Sequence, residues 1–430
     1  MSGQNRAGTL ILGAGQAGLQ LAVTLRRLGD LEPITLVGEE PHAPYQRPPL
    51  SKEFLAGTVG QEGLALRVPA FYADSGIALV RGERVEEIGL ETGPGAAPGA
   101  PGAAVTGAGR RIPFARLAFA VGAAPRRLRV PGAELTGVCY LRNHDDAVDL
   151  KIRLAAAERI VVIGGGFIGL EAAAAARALG RSVTVIEASE RLIGRAVAPV
   201  VSEFYRAAHE IRGTRVLLSA GVSAIEGRAG RVHAVLLADG TRLPADLVVV
   251  GIGVEPRIEL AERVGLACDG GIVVDAHART SNPHVVAAGD CTVQPNPLTG
   301  QGRMRIESVH NAVAQASTAA ATLLGQAPQP PAAPWFWSFQ GDLKLQIAGL
   351  SAGHDTTVLR GDPETERFSV LYYREGRLLA IDAVNSPADY MVVRKVLGQG
   401  GTIPPEPAAD SAVPLKDLAA PAAPAVQPVG

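Results

Sequence analysis

Three cysteines, Cys139, Cys268 and Cys291, are all that the 430 residues carry. No two lie within a few residues of each other, which excludes a CxxC redox pair and a clustered zinc or iron–sulfur ligand set. The eight histidines show no HxxxH or HExxH spacing, so they read as surface or core groups and no metal site is expected. Charge of either sign is lacking in excess: the net charge is −1, and no global field favours nucleic acid or an anionic membrane. The longest apolar runs, Ile160–Leu170 and Leu247–Val254, fall short of the roughly 20 residues that span a bilayer. No apolar signal segment precedes the first strand candidate at Thr9, and a cytoplasmic location is the expectation. Aromatics are scarce at 4% while glycine (51 residues) and alanine are abundant, a balance suited to close helix–sheet packing.

What is present is a globular composition, 47% hydrophobic and 19% charged, on a chain long enough for two or three cores. Thr9–Leu12 is an apolar strand candidate that meets GAGQAG; Leu19–Leu28 then has helical periodicity, and Pro33–Val37 reads as a second strand. The plan recurs at Arg159–Ile163, GGGFIG, Leu170–Leu179 and Val183–Ile186. Two such β-α-β units predict two nucleotide-binding halves. Thr92–Gly109, rich in Gly, Ala and Pro, reads as a flexible tip between strands. From Trp335 to Val396 shorter strands and a terminal helix suggest an α+β domain. The Pro/Ala-rich sequence beyond it reads as mobile, apart from one small helix candidate at Leu415–Ala419. The predicted architecture is α/β: one dinucleotide-binding domain from 1–125 and 251–330, a second from 126–250, a C-terminal α+β domain from 331–405 and a mobile tail from 406–430.

Each glycine fingerprint follows a strand and opens a helix. The first glycine makes the tight turn, and the second lets a pyrophosphate approach the helix N-terminus and its dipole. Glu39 and Glu40 end the second strand of the first unit, where a carboxylate accepts ribose hydroxyls. In the second unit Glu187 plays that part, 23 residues after Gly164. A carboxylate there repels a 2′-phosphate, which favours NAD(H) over NADP(H), although Arg191 and Arg195 lie close in sequence. Two dinucleotide sites in one chain point to a bound flavin and an exchanging nicotinamide, with FAD in the first unit and NADH in the second. In TSNPHVVAAGDC a buried strand delivers Asp290 to a turn, suited to a ribityl hydroxyl. The helix that opens in IESVHNAVAQA could face the flavin's carbonyl end.

Between the two units lies PYQRPPLSK, Pro44–Lys52. Its prolines forbid a helix and push the preceding residues toward extended conformations, so a stiff, extended spacer is expected, holding Arg47 and Lys52 apart.

These stretches, with RIESVHNA, PWFW, LKLQIAGL and SAVPLKDL downstream, resemble in order and over nearly the whole chain the ferredoxin-reductase-type FAD/NADH flavoproteins. Putidaredoxin reductase, rubredoxin reductase and the reductases of ring-hydroxylating dioxygenases belong to that family. The resemblance implies FAD contacts at Gly13, Gly15, Ala17, Glu39, Glu40, Arg47, Lys52, Val85, Arg142, Asp290 and Val309. It implies NADH contacts at Gly165, Phe167, Ile168, Glu187, Gly253 and Trp337. It also implies a Lys52–Glu171 ion pair beside the reactive edge of the isoalloxazine; a loop that follows the ribose carboxylates and runs along FAD would place Arg47 at the pyrophosphate. The implied activity is that of an NADH-dependent ferredoxin reductase. Hydride passes from NADH to FAD N5, and single electrons then pass to a [2Fe-2S] ferredoxin that feeds a P450 or dioxygenase. Lacking a redox cysteine pair, such a chain sends its electrons out from the flavin itself. The alternative is a redox-sensing NADH/FAD flavoprotein resembling apoptosis-inducing factor. Gln46 departs from the family pattern where Asp is usual in PYxRPPLSK, AVG stands at Ala120–Gly122 in place of ATG, and Phe339 replaces the acid of WSDQ.

Overall fold

The computed structural model describes residues 7–90, 102–300, 302–330 and 332–421. They divide into two compact units. The first comprises residues 7–46, 61–124 and 254–332; the second comprises 47–60, 125–253 and 333–421.

In the first unit the fully buried strand Gly8–Leu12 lies between Ile34–Gly38 and Arg111–Phe119, parallel to both, with Leu12 opposite Val37 and Phe119. Ile77–Arg81 extends the sheet on one side; Gly102–Thr106 and Val85–Gly89 extend it, antiparallel, on the other. Val285–Ala287 joins in parallel along the last part of Arg111–Phe119. Continuous apolar runs are what a parallel sheet buried on both faces requires. Helix Gln16–Arg27 shares an alanine-rich core with helix Val309–Leu323, built from Ala17, Leu21 and Ala22 of one and Ala312, Ala316 and Ala319 of the other. Part of the expected flexible tip, residues 92–101, lies outside the described residues. The rest corrects that expectation: Gly102–Thr106 is a sheet strand, and a Cβ at Gly102 would stand 2.5 Å from the Phe114 ring. Small residues there serve packing, not flexibility.

In the second unit five parallel strands run in the order Thr214–Leu217, Ser182–Ile186, Arg159–Ile163, Leu247–Val250 and Val138–Tyr140. A three-stranded antiparallel sheet follows from Val222–Arg228, Arg231–Leu237 and Arg242–Pro244. The C-terminal segment forms a five-stranded antiparallel sheet: Trp335–Gln340, Leu343–Gly349, Arg377–Val384, Arg367–Arg374 and Thr356–Asp362. This sheet shares one core with helices Phe167–Ala178 and Pro199–Ile211, where the Phe204 and Phe368 rings meet edge to face at 5.1 Å. Among the described residues no helix is long and apolar enough to cross a membrane.

Two expectations fail here for identifiable reasons. The chain after residue 405 is packed as far as the structure describes it. The side chain of Arg360, 6% exposed, donates to the carbonyls of Ala408, Asp410 and Val413 while pairing with Asp389 at 3.1 Å, and Leu415 is buried at 2% exposure. Composition missed a segment held by one distant guanidinium. The proline segment is not an extended spacer either. Arg47 is helical (φ −78°, ψ −35°), and Pro48–Ser51 forms a 3₁₀ turn. Its prolines occupy the first turn, where the missing N–H groups would have no intrahelical partner. Lys52 N then donates to Pro49 O at 3.1 Å, and residues 47–60 fall in the second unit, not with the first fingerprint.

Asp382 in this shared core is 1% exposed and accepts from Ala198 N at 3.2 Å and from the Tyr372 hydroxyl. Burial raises its carboxyl to about 7. Folding therefore takes up a proton between about pH 4 and 7, and stability falls as pH rises through that window, by at most about 1.4 kcal/mol per pH unit. In thermal melts Asp382→Asn should lose less stability than the parent between pH 5 and pH 8. Parallel curves would contradict this assignment.

Candidate functional site

The two fingerprints have nearly the same backbone. Gly13 and Gly164 turn the chain at φ +105° and +107°, and each amide donates at 2.8 Å to the end of the neighbouring strand, at Val37 O and Ile186 O. A Cβ at Gly18 would lie 1.9 Å from Gly13 O, and one at Gly169 2.1 Å from Gly164 O. The first and third glycines are thus dictated by the fold itself.

The second glycines are not. Gly15 (φ −95°, ψ −161°) and Gly166 (φ −83°, ψ −179°) adopt ordinary extended conformations. A Cβ at Gly15 would meet nothing within 4 Å, and one at Gly166 only Gly251 O at 3.9 Å. Neither helix start has a side-chain cap, so no capping side chain takes the first-turn amides. Each loop is a cradle that a side chain would fill and an anionic diphosphate fits. The residues present suit two dinucleotides.

The acids stand where the strands end. Glu187 is anchored to its own cradle: one carboxylate oxygen accepts from Gly165 N at 2.7 Å and the other from Ser189 N at 2.7 Å. Arg191 does not compete for a phosphate, because its guanidinium is turned onto Gly194 O (2.7 Å), Val197 O (3.3 Å) and Ser202 Oγ (3.4 Å). A Cβ on Gly165 would lie 2.4 Å from Leu192, which explains a third consecutive glycine. In the first unit Glu39 pairs with Arg257, and Glu40 accepts from the Tyr45 hydroxyl at 2.5 Å. Arg257 and Tyr45 escaped the sequence reading. So did an open cleft beyond strand Ile77–Arg81, lined by Pro41, Leu79, Val80, Glu83 and Arg110.

Other expected contacts separate by unit. Gly13, Gly15, Ala17, Glu39, Glu40, Val85, Asp290 and Val309 fall in the first, and Gly289, just before Asp290, packs closely on Ala17: a Cβ there would lie 3.1 Å from that of Ala17. Val309 opens its helix behind Ser308, which caps Asn311 N at 3.1 Å. Arg47, Lys52 and Arg142 fall in the second unit, where the Arg47 guanidinium donates to Arg142 O at 2.7 Å. Gly165, Phe167, Ile168, Glu187, Gly253 and Trp337 share that unit. The tilted rings of Phe167 and Phe336 lie 4.6 Å apart, beside the ring of Trp337, while Ile168 is 42% exposed on the first turn of its helix.

Lys52 and Glu171 form an ion pair at 2.8 Å, with side-chain exposures of 10% and 2%. Lys52 Nζ also donates to Pro48 O at 3.0 Å. Burial pushes the Glu171 carboxyl above its ordinary value, and Lys52, Ser338 and Ser51 pull it back. Both serines donate to it, Ser338 Oγ at 2.6 Å. No periodic signal marks such hydroxyls, but Ser51 stands inside PYQRPPLSK and Ser338 beside Phe339 in WSFQ, the counterpart of WSDQ.

All three cysteines are free thiols. Burial raises Cys139 and Cys291 to about 12, and Cys268 is raised as well. None is a reactive thiolate at neutral pH.

Comparison with known proteins extends this picture. The family model described as pyridine nucleotide-disulphide oxidoreductase matches residues 8–316, and the reductase C-terminal model matches residues 335–419. Rhodocoxin reductase of Rhodococcus erythropolis is 45% identical over 407 residues, covering 95% of this chain and 93% of that protein. The crystal structure of the ferredoxin reductase for the CYP199A2 system of Rhodopseudomonas palustris superposes with a TM-score of 0.90 at 42% identity, covering 96% of this chain and all of that one (100%). The reductase in the covalent putidaredoxin reductase–putidaredoxin complex does so with 0.90 at 39% identity, covering 96% of this chain and 98% of that one.

Because neither second glycine is crowded by the protein, valine there should leave the fold intact. Gly15→Val should purify folded but largely free of flavin. Gly166→Val should keep flavin and raise the KM for NADH at least about tenfold. The ratio of visible to ultraviolet absorbance and steady-state kinetics read both effects; retention of flavin in Gly15→Val would contradict the assignment.

Proposed function

The chain belongs to the pyridine nucleotide-disulphide oxidoreductase family, in the ferredoxin-reductase group that carries the reductase C-terminal domain, and we propose that it is an NADH-dependent reductase of a [2Fe-2S] ferredoxin serving a P450 or dioxygenase. Its relatives are FAD-dependent oxidoreductases that use NAD(P)H. When bound, FAD takes hydride from the nicotinamide and releases electrons singly.

The observation that carries the reading is the pair of matched cradles in a chain whose three thiols are free and held protonated. Two dinucleotides are held, yet no sulfur pair stands ready to relay electrons, so they leave for a docked protein. The Gly13–Gly18 loop holds the FAD diphosphate on amides, and Asp290 serves a ribityl hydroxyl. The Gly164–Gly169 loop holds NADH, with Glu187 accepting the ribose hydroxyls. Internal engagement of Arg191 supports NADH over NADPH, because a 2′-phosphate would meet the Glu187 carboxylate without that cation. Trp337, beside Phe336 and Phe167, supplies an aromatic wall for the nicotinamide. Lys52 offers a fixed positive charge to the reduced ring, and Glu171 holds that charge in place. Free thiols support a reducing, cytoplasmic setting.

Purified with FAD, the chain should reduce cytochrome c with NADH slowly alone and severalfold faster once a [2Fe-2S] ferredoxin from a P450 or dioxygenase system is added. NADPH should be poorer by at least about tenfold in kcat/KM, and Glu187→Ser should narrow that ratio. No stimulation by any ferredoxin of either class would contradict the proposed partner.

A further inference from the structure

The polar contacts of Glu171 continue past Ser338. Ser338 Oγ donates to Glu171 Oε1 at 2.6 Å and accepts from Gln340 Nε2 at 3.4 Å, while Gln340 Oε1 meets His209 Nε2 at 2.8 Å. Ser338, Gln340 and His209 are 0%, 1% and 3% exposed. They thread polar side chains through the apolar core in which Leu170, Phe204, Tyr205 and Leu345 pack.

The direction of every hydrogen bond is fixed by its neighbour. Glu171 as a carboxylate only accepts, so the Ser338 proton points at it. Ser338 then needs a donor, which turns the Gln340 NH₂ toward it and the Gln340 oxygen toward His209. An oxygen there requires the imidazole proton on Nε2. Burial lowers the pKa of His209 below its ordinary value, so the ring is neutral at pH 7 and that tautomer is the one the string selects. All the dipoles are aligned toward one anion, an arrangement that strengthens each bond in the row and favours the charged form of the group at its end. A core of this kind gains nothing from such groups as packing. Each would cost about 1–3 kcal/mol if left unpaired.

We propose that Ser338, Gln340 and His209 are positioning residues that keep Glu171 anionic and so hold the Lys52 ammonium in place. The proposal rests on the reading of Lys52 and Glu171 as the pair beside the flavin. Glu171 is faced by Lys52 and Ser51 from the proline turn, by Ser338 from strand Trp335–Gln340, and by Tyr205 from helix Pro199–Ile211, with Gln340 and His209 standing behind Ser338. Asp382, Arg212 and Glu366 also act on Tyr205 by their charges, and Arg212 lowers His209 as well. Lys52 is the cation in direct contact with the Glu171 carboxylate; the string therefore supplies by oriented dipoles what a second cation would supply by charge.

The test uses the FAD-loaded full chain. The midpoint potential of the flavin, measured spectroelectrochemically from pH 5.5 to 9, should show a break that disappears in Glu171→Gln. Gln340→Leu should move that break upward by about one pH unit, with the KM for NADH unchanged, and Ser338→Ala should move it at least as far. In the Glu171→Gln background Gln340→Leu should change nothing further, since neighbours acting through one group are non-additive. A break that stays in place in both single variants overturns the proposal. So does an effect of Gln340→Leu that is equally large with and without the Glu171 carboxylate, which marks a packing role. Should Gln340→Leu not fold, Ser338→Ala carries the same expectation. A potential indifferent to Glu171→Gln would instead overturn the placement of the ion pair beside the flavin. Difference infrared titration of the Glu171 carboxyl still reads the string in that case: shifted upward in Ser338→Ala if the string acts, unmoved if it does not.

Discussion

A lysine ammonium and a glutamate carboxylate held 2.8 Å apart inside the second unit tie together three segments that lie far apart in sequence. Lys52 and Ser51 come from the proline turn, Glu171 from the helix that opens at the second glycine loop, and Ser338 from the first strand of the C-terminal sheet. Two charges taken out of water lose several kcal/mol of solvation each, and their attraction repays this only where the remaining lone pairs are also satisfied. Here they are: both Glu171 oxygens accept hydroxyl protons in addition to the ammonium. The pair is weak as a source of net stability and strong as a constraint, because removing either partner strands the other. It fixes the proline turn against the nucleotide-binding helix, and that placement makes Lys52 a positioned charge instead of a solvated one.

Around this constraint the chain repeats one nucleotide-binding solution. The turn glycines at 13 and 164 and the packing glycines at 18 and 169 are required by backbone closeness, whereas nothing in the protein crowds Gly15 or Gly166, which leaves room for the dinucleotide proposed for each loop. The carboxylates diverge. Glu187 is fastened to its own glycine loop, while Glu39 is countered by Arg257. Similar cradles thus carry acids that are held in different ways.

Much of this was legible in the sequence because glycine spacing after an apolar strand is a local and strict signal. Both fingerprints, the strand before and the helix and strand after each, and the acids after the second strands could be read that way. The Lys52–Glu171 pair came from family resemblance, since nothing in spacing links residues 119 positions apart. Ser51, Ser338, Gln340 and His209 were not read at all. A serine or glutamine carries no periodicity, and a lone histidine looks the same in a core as in a relay. The proline segment was misread because the preference of pre-proline residues for extended backbone yields when proline itself occupies the first turn of a 3₁₀ helix. The packed chain beyond residue 405 was misread because Pro/Ala composition says nothing of Arg360, which captures three of its carbonyls.

The central claim is that Lys52 and Glu171 are an ionised, mutually dependent pair, and a double-mutant cycle on unfolding free energy tests it most directly. Urea unfolding of the parent, Lys52→Met, Glu171→Leu and the double variant should show each single change costing about 3–5 kcal/mol and the double change costing less than their sum by at least about 2 kcal/mol. Additive single effects would contradict the pair.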